Sequence, residues 1–234
     1  MIPADSDNRD SSALRIKDLG TGRRTRSCAP PFSFKYTVVK SKIVNWYDIG
    51  MRKLIMWNLI TLDGFFEGEK PWDLSFHGLV YDEELEDFTI KQLQAAGAVI
   101  YGENTYKGMA DYWTAPDQAG DIKTEPINTM QKYVCSPTLE TADWQNTTII
   151  KDALAEIPKL KQEGDGNLFV FGSAILSESL MKADLFDEYR LCLVPVFLGK
   201  GRRLFNDGLP YQKLKMLKSQ PLKSGAIILT YAPN

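Results

Sequence analysis

Two stretches, Phe169-Val170-Phe171-Gly172-Ser173-Ala174-Ile175-Leu176 and Val99-Ile100-Tyr101-Gly102-Glu103-Asn104-Thr105-Tyr106, share one plan. Each has a short apolar run, then a glycine, then polar residues opening a helix-like pattern. Short β-branched and aromatic runs ending in glycine read as buried strands. Ser173 to Lys182 is expected to be a helix with Ile175, Leu176 and Leu180 inward. Glycine lets a ligand come close to the backbone. The helix that follows offers unpaired N–H groups and a positive dipole end to a phosphate. One such junction is also plain turn geometry, whereas two in one sheet suit a ligand with more than one phosphate. Neither is a Walker loop or a GxGxxG turn.

The same alternation continues outward from these junctions. Leu54 to Ile60 reads as a buried strand ending near Asp63-Gly64. Asp82 to Ala95 is a helix with acidic residues in its first turn, where the dipole favours them. Asn104 to Met109 opens another, and Asp152 to Gln162 a third that carries Pro158. Lys132–Ser136 and Thr147–Ile150 are further strands. The chain ends on strands without helices between them: Glu188–Val196, Leu214–Lys218 and Ala226–Tyr231. Alternating strands and helices imply an α/β sheet covered on both faces. The strands at the end imply antiparallel pairing, so the sheet is mixed.

The chain has 234 residues, with 28 Lys/Arg against 30 Asp/Glu and a formal charge of −2. Without a basic excess, the electrostatic case for nucleic-acid binding is gone. Cys28, Cys135 and Cys192 lie far apart and His77 is the lone histidine, so no Cys/His metal site is expected. Scattered cysteines fit a reducing compartment. The longest apolar run, Leu191 to Leu198, contains Pro195 and falls short of the roughly 20 residues that span a bilayer. The start shows no apolar segment of signal-peptide type. The expectation is a cytoplasmic protein with no membrane and no nucleic-acid partner.

Residues 1–50 differ from the rest, with nine Lys/Arg against five Asp/Glu. They are read as a largely disordered extension, unpacked over 1–31 and more apolar from Phe32 to Trp46. Its Arg and Ser content suits a transit peptide, but Asp5, Asp7, Asp10 and Asp18 oppose that. The domain is placed at 51–234.

Several segments resemble the dihydrofolate-reductase-like proteins. Leu59-Ile60-Thr61-Leu62-Asp63-Gly64 resembles their opening strand and turn, and Gly102-Glu103-Asn104-Thr105-Tyr106 their first cofactor turn. Phe171-Gly172-Ser173-Ala174 falls at the second glycine turn. Val194-Pro195-Val196-Phe197-Leu198-Gly199-Lys200-Gly201-Arg202-Arg203-Leu204-Phe205 is the most specific match. It resembles one branch, the reductase domain of the riboflavin-biosynthesis deaminase-reductase and its stand-alone relatives. The resemblance covers about 52–232. It implies a three-layer αβα fold with a mixed, mostly parallel sheet, NADPH as hydride donor (NADH also possible) and a homodimer.

The resemblance also implies roles for residues. Gly102, Asn104 and Thr105 sit at the cofactor's phosphates, and Gly172, Ser173, Ala174 and Ile175 line the pyrophosphate turn. Ser136 and Thr138 face the adenosine end. Leu59, Ile60 and Asp63 lie beside the nicotinamide and substrate. Two departures stand out: Glu103 and Pro137 occupy positions where the family often has arginine. Such arginines pair with the 2′-phosphate of NADPH. Lys107 or Lys132 are the candidate replacements. The catalytic candidates are Asp63 and His77 as proton donors, with an alternative in which Asp63 only closes its turn. Trp57, Trp72 and Trp113 either wall a planar ligand or pack the core, and Cys135 and Cys192 read as core. The leading function is an NAD(P)H-dependent reductase acting on a heterocycle or sugar-bearing pyrimidine. The rivals are a dihydrofolate reductase and a non-catalytic nucleotide-binding module.

Overall fold

The computed structural model describes residues 51–234; the expected extension over 1–50, including Phe32 to Trp46, lies outside the described residues. Ten strands and five α-helices follow in the order β1 (Leu54–Thr61), β2 (Phe65–Glu67), α1 (Glu83–Ala95), β3 (Ala96–Gly102), α2 (Glu103–Trp113), α3 (Thr124–Thr129), β4 (Gln131–Cys135), β5 (Thr147–Ile150), α4 (Ala153–Leu160), β6 (Asn167–Phe171), α5 (Ala174–Lys182), β7 (Glu188–Val194), β8 (Arg202–Arg203), β9 (Leu214–Pro221) and β10 (Ile227–Pro233). Eight of the strands form one sheet in the order β5-β4-β3-β6-β1-β7-β10-β9. The first six run parallel. β10 then pairs antiparallel with β7, and β9 antiparallel with β10. The mixed sheet expected from the chain's end is therefore present.

β1 is buried along its whole length because it lies inside the sheet between β6 and β7. Its residues divide by parity, as the two-residue period of a strand requires. Leu54, Met56 and Ile60 join Ile157 of α4 and Leu176, Leu180 and Met181 of α5 on one face. Ile55, Trp57 and Leu59 meet Leu85 of α1 and the Phe76 and Val80 side chains on the other. Burying one such Leu or Ile contributes about 1.5–3 kcal/mol. A third cluster joins Val99 and Tyr101 of β3 to Leu93, Tyr106, Ile127 and Trp144. The result is three layers: α4 and α5, the sheet, then α1, α2 and α3.

Local signals explain the helix ends. Asp82 caps α1 by accepting from Leu85 N at 3.1 Å, and Glu83, Glu84 and Glu86 fill the first turn. Asp152 caps α4 in the same way through Ala155 N. Pro158 lies inside α4, which stops two residues later. One expected orientation is corrected: Ile175 is not inward but 66% exposed, while Leu176, Ser177, Leu180 and Met181 are buried. Ile175 shares the outward face of α5 with Ser179 and Lys182, at i, i+4 and i+7, while its neighbours Ala174 and Leu176 are buried. Among the described residues no helix is long and apolar enough to cross a membrane, and no group of three metal-ligating side chains gathers.

Candidate active site

The two glycine turns come together because their strands are neighbours: β3 and β6 lie side by side and parallel. Both turns therefore leave the sheet at its carboxyl edge, where ligands of open α/β sheets bind. Ser173 joins them, its Oγ accepting from Gly102 N at 2.7 Å. Gly172 and Ser173 both have positive φ, at 72° and 60°. That conformation favours glycine, and a Cβ at Gly172 would also stand 3.3 Å from Thr105 Cγ2 and 3.5 Å from the Phe66 ring. The first intrahelical bond of α5 runs from Ser177 N to Ser173 O. The N–H groups of the first turn, at Ala174 and Ile175, have no intrahelical partner. Gly102 N and Gly172 N are spent on Ser173 Oγ and Asn58 Oδ1, so the unpaired donors at this edge are those of the first turn of α5.

Asn58 was missed by sequence reasoning. It is a polar residue in the middle of β1, only 3% exposed, and its Oδ1 accepts from Gly172 N at 3.0 Å. Its Nδ2 is buried without a hydrogen-bond partner among the described residues. The available signal was the asparagine itself, alone in an otherwise apolar run.

A cavity of about 640 Å³ adjoins the α5 N-terminus. Its walls include Ala174 and Ile175 on one side, and Glu67, Pro71, Arg202 and Arg203 on the other. The second wall is built by β2 and β8, which pair antiparallel. Gly201 permits this pairing, because a Cβ there would lie 2.2 Å from Glu67 O. A second cavity of about 310 Å³ lies between α1, β7 and β9, lined by Phe88, Gln92, Arg190 and Lys218.

Asp63 is held by the fold. Its carboxylate accepts from Thr61 Oγ1 at 2.5 Å, Gly199 N at 2.7 Å and Leu198 N at 3.3 Å. Partial desolvation pushes its pKa up, but these hydrogen bonds outweigh that and the net shift is downward. Arg203 Nη1 also donates to Asp63 O at 2.9 Å. Asp63 thus ties the turn after β1 to the Leu198-Gly199 turn, while Gly64 N closes the turn on Thr61 O. Its carboxylate is a poor proton donor.

His77 lies in the short 3₁₀ turn Ser75–Leu79, its ring edge-on to Phe76 at 4.7 Å. Burial pushes its pKa down to about 4, and its Nε2 is buried and unpartnered among the described residues. It is neutral at pH 7. The side chains of Leu59 and Ile60 are 9% and 6% exposed and belong to opposite cores, so each is placed near the site only by the end of β1.

Glu103 opens α2 beside the end of β4. Thr138 Oγ1 donates to its carboxylate at 3.1 Å, Lys107 Nζ at 2.7 Å, and Ser136 Oγ donates to the same oxygen as Thr138. Bonds from Lys107, Ser136 and Thr138 lower its pKa to about 2. Lys132 does not reach this cluster, contrary to expectation. It is fully buried, donates to the carbonyls of Ile127, Asn128 and Met130, and lies 4.6 Å from the Trp144 ring. It is spent on the end of α3. Asn104 is exposed and Thr105 half-buried on the first turn of α2.

The aromatic and thiol candidates separate cleanly. Trp57 is core, tilted on Phe88 at 5.1 Å. Trp72 is 43% exposed and lies against Gly108 of α2, where a Cβ would meet its ring at 1.9 Å. Trp113 is half-buried beside the third cluster. Burial raises the pKa of both Cys135 and Cys192 to about 12, which leaves them as unreactive thiols.

A mostly parallel sheet with an antiparallel end, three layers and paired glycine turns at the carboxyl edge defines a dihydrofolate-reductase-like α/β protein. Residues 52–228 match the model of the RibD C-terminal domain, and the chain belongs to that family. It is 28% identical over 186 residues to the uncharacterized protein YyaP of Bacillus subtilis, covering 79% of this chain and 96% of that one. Among solved structures it resembles a putative riboflavin biosynthesis protein from Shewanella, with a TM-score of 0.63, 16% identity and coverage of 78% and 99%. It also resembles an NADP(H) complex of dihydrofolate reductase from Enterococcus faecalis, with a TM-score of 0.53, 14% identity and coverage of 79% and 98%.

Proposed function

We propose that the protein is a nicotinamide-dependent reductase of the riboflavin-reductase-like kind. It would deliver hydride to a C=N or C=O of a heterocycle or sugar-bearing pyrimidine. The observation that carries this reading is the joined pair of turns at Gly102 and Gly172, closed by the Ser173–Gly102 bond and facing the first turn of α5. Membership in the RibD C-terminal family supports it. Gly172, Ser173, Ala174 and Ile175 would hold the diphosphate, with Gly102 and Thr105 beside them, and the bound nicotinamide would supply the hydride.

The chain's own residues do the positioning. Asn58 fixes the Gly172 turn, so the cradle is set before the cofactor arrives. The cavity walled by Arg202, Arg203 and the α5 N-terminus has room for a substrate beside the cradle, and its two arginines are balanced by Glu67 and Glu69. The reduced atom needs a proton. With Asp63 ionised and engaged and His77 neutral, water is the better donor.

The test is loss of absorbance at 340 nm with NADH or NADPH and a panel of pyrimidine, dihydropteridine and sugar-phosphate substrates. Turnover of a pyrimidine substrate is the expected result. Dihydrofolate as the sole substrate would move the protein to the dihydrofolate reductase reading. Cofactor binding without turnover of any substrate would favour a binding module.

A further inference from the structure

The sheet order places three strand ends in a row: β4, β3 and β6. Neighbouring strands lie about 4.7–4.9 Å apart. A diphosphate on the β3 and β6 turns leaves a dinucleotide's two ends to run in opposite directions along this edge. The reacting ring needs the open side, where the cavity beside Ala174 and Ile175 has room for a second molecule. The adenosine end is then directed over β4.

At that end stands the carboxylate of Glu103, with the hydroxyls of Ser136 and Thr138 donating to it from the turn after β4. Two cations are close, and each is engaged. Lys107 pairs with Glu103 itself at 2.7 Å, and Lys151 donates to Leu139 O at 2.6 Å and lies 3.7 Å from Glu140. Lys132 is buried under α3. We propose that Glu103 reads the 2′ position of the adenosine ribose and selects NADH over NADPH, a reading that rests on the nicotinamide assignment above.

The chemistry is one of donors and charge. A ribose 2′-hydroxyl can donate to the one acceptor site left on Glu103 Oε1, since Oε2 already accepts from Ser136 and Thr138 and Oε1 from Lys107. A 2′-phosphate has nothing to donate at neutral pH and brings a further 1.5 to 2 negative charges, about the load of any phosphomonoester. An acidic side chain at the ribose is how other dinucleotide sites favour NAD. Glu103 stays ionised throughout the neutral range, held so by Lys107, Ser136 and Thr138.

The test is calorimetric titration of NADH, NADPH, ADP-ribose and 2′-phospho-ADP-ribose into the wild type and Glu103→Gln. The two fragments lack the nicotinamide, so they read the adenosine end alone. NADH should bind at least about tenfold more tightly than NADPH, the ratio a single charge-assisted hydrogen bond sustains. ADP-ribose should exceed its 2′-phosphate by a similar ratio. Glu103→Gln should bring each pair within about threefold of one another, with an unchanged melting temperature as the folding control. Should that variant misfold, Glu103→Ser serves for the same comparison. Wild-type preference for NADPH, or an unaltered ratio in the variants, would overturn the proposal while leaving the nicotinamide reading intact. Failure of all four ligands to bind would overturn both.

Discussion

Asn58 is the residue whose environment says most about the site. A strand position flanked by Trp57 and Leu59, 3% exposed, favours an apolar side chain unless a polar one has a partner. The partner is Gly172 N, at the centre of the proposed diphosphate cradle. Asn58→Leu would leave that N–H unpaired and should lower stability by about 1–3 kcal/mol. Cofactor affinity should fall by about tenfold, since the turn loses its anchor. Denaturant melts and a cofactor titration read the two effects, and a variant matching wild type in both would remove Asn58 from the site. His77 makes a separate prediction. Its folded pKa is about 4, below the ordinary value of 6.5, because burial disfavours the cation. The folded state therefore binds fewer protons than the unfolded one as pH falls. Stability is complete above about pH 6.5 and is lost progressively down to about pH 4. Between pH 7 and pH 5 this group should cost about 2 kcal/mol. Urea melts of wild type and His77→Gln at both pH values isolate it; an identical pH response in the two would show that His77 is not the cause.

The N-terminal turn of α5 concentrates the binding argument. Gly172→Val is a blunt probe, because φ of 72° strains any side chain there before a ligand is considered. Ile175→Glu is cleaner: the side chain is 66% exposed, and a carboxylate in a first turn stabilises a helix by about 0.3–1 kcal/mol. The variant should fold as well as wild type and bind a dinucleotide at least about tenfold more weakly, through repulsion of the diphosphate. Undiminished affinity would place the diphosphate elsewhere. Ile175 also shows where pattern reading slips. Its apolar character suggested the core, but it lies on the outward face of α5 with Ser179 and Lys182, between the buried Ala174 and Leu176. The β2–β8 pair was not legible for a related reason. Two or three residues such as Arg202–Arg203 carry no period, and their pairing depends on Gly201 approaching Glu67. α3 spans six residues and contains Pro126, too short a run for a helical repeat to register. Lys132 misled because alternation in β4 does reveal a buried face at Lys132 and Val134. A lysine there is tolerated only because three carbonyls receive its ammonium group, and the sequence does not display those carbonyls.

At the scale of the whole molecule, the strand–helix alternation and the helix-free end of the chain were enough to anticipate a mixed sheet with covered faces. The two glycine turns were legible as well, because glycine followed by a helix start is a local signal with a physical cause. Their adjacency was not: it comes from β6 inserting between β1 and β3, a long-range choice made by the packing of both sheet faces. That insertion joins Asn58, Gly172, Ser173 and Gly102 into one site from distant parts of the chain. The central claim is that this site binds the diphosphate of a nicotinamide dinucleotide. The most direct measurement is a fluorescence titration of reduced nicotinamide dinucleotide, NADH first and then NADPH, into wild type and Ile175→Glu. The account predicts saturable one-to-one binding to wild type and loss of at least about tenfold in affinity in the variant. Saturable binding equally tight in both proteins, or no binding of either dinucleotide to wild type, would contradict it.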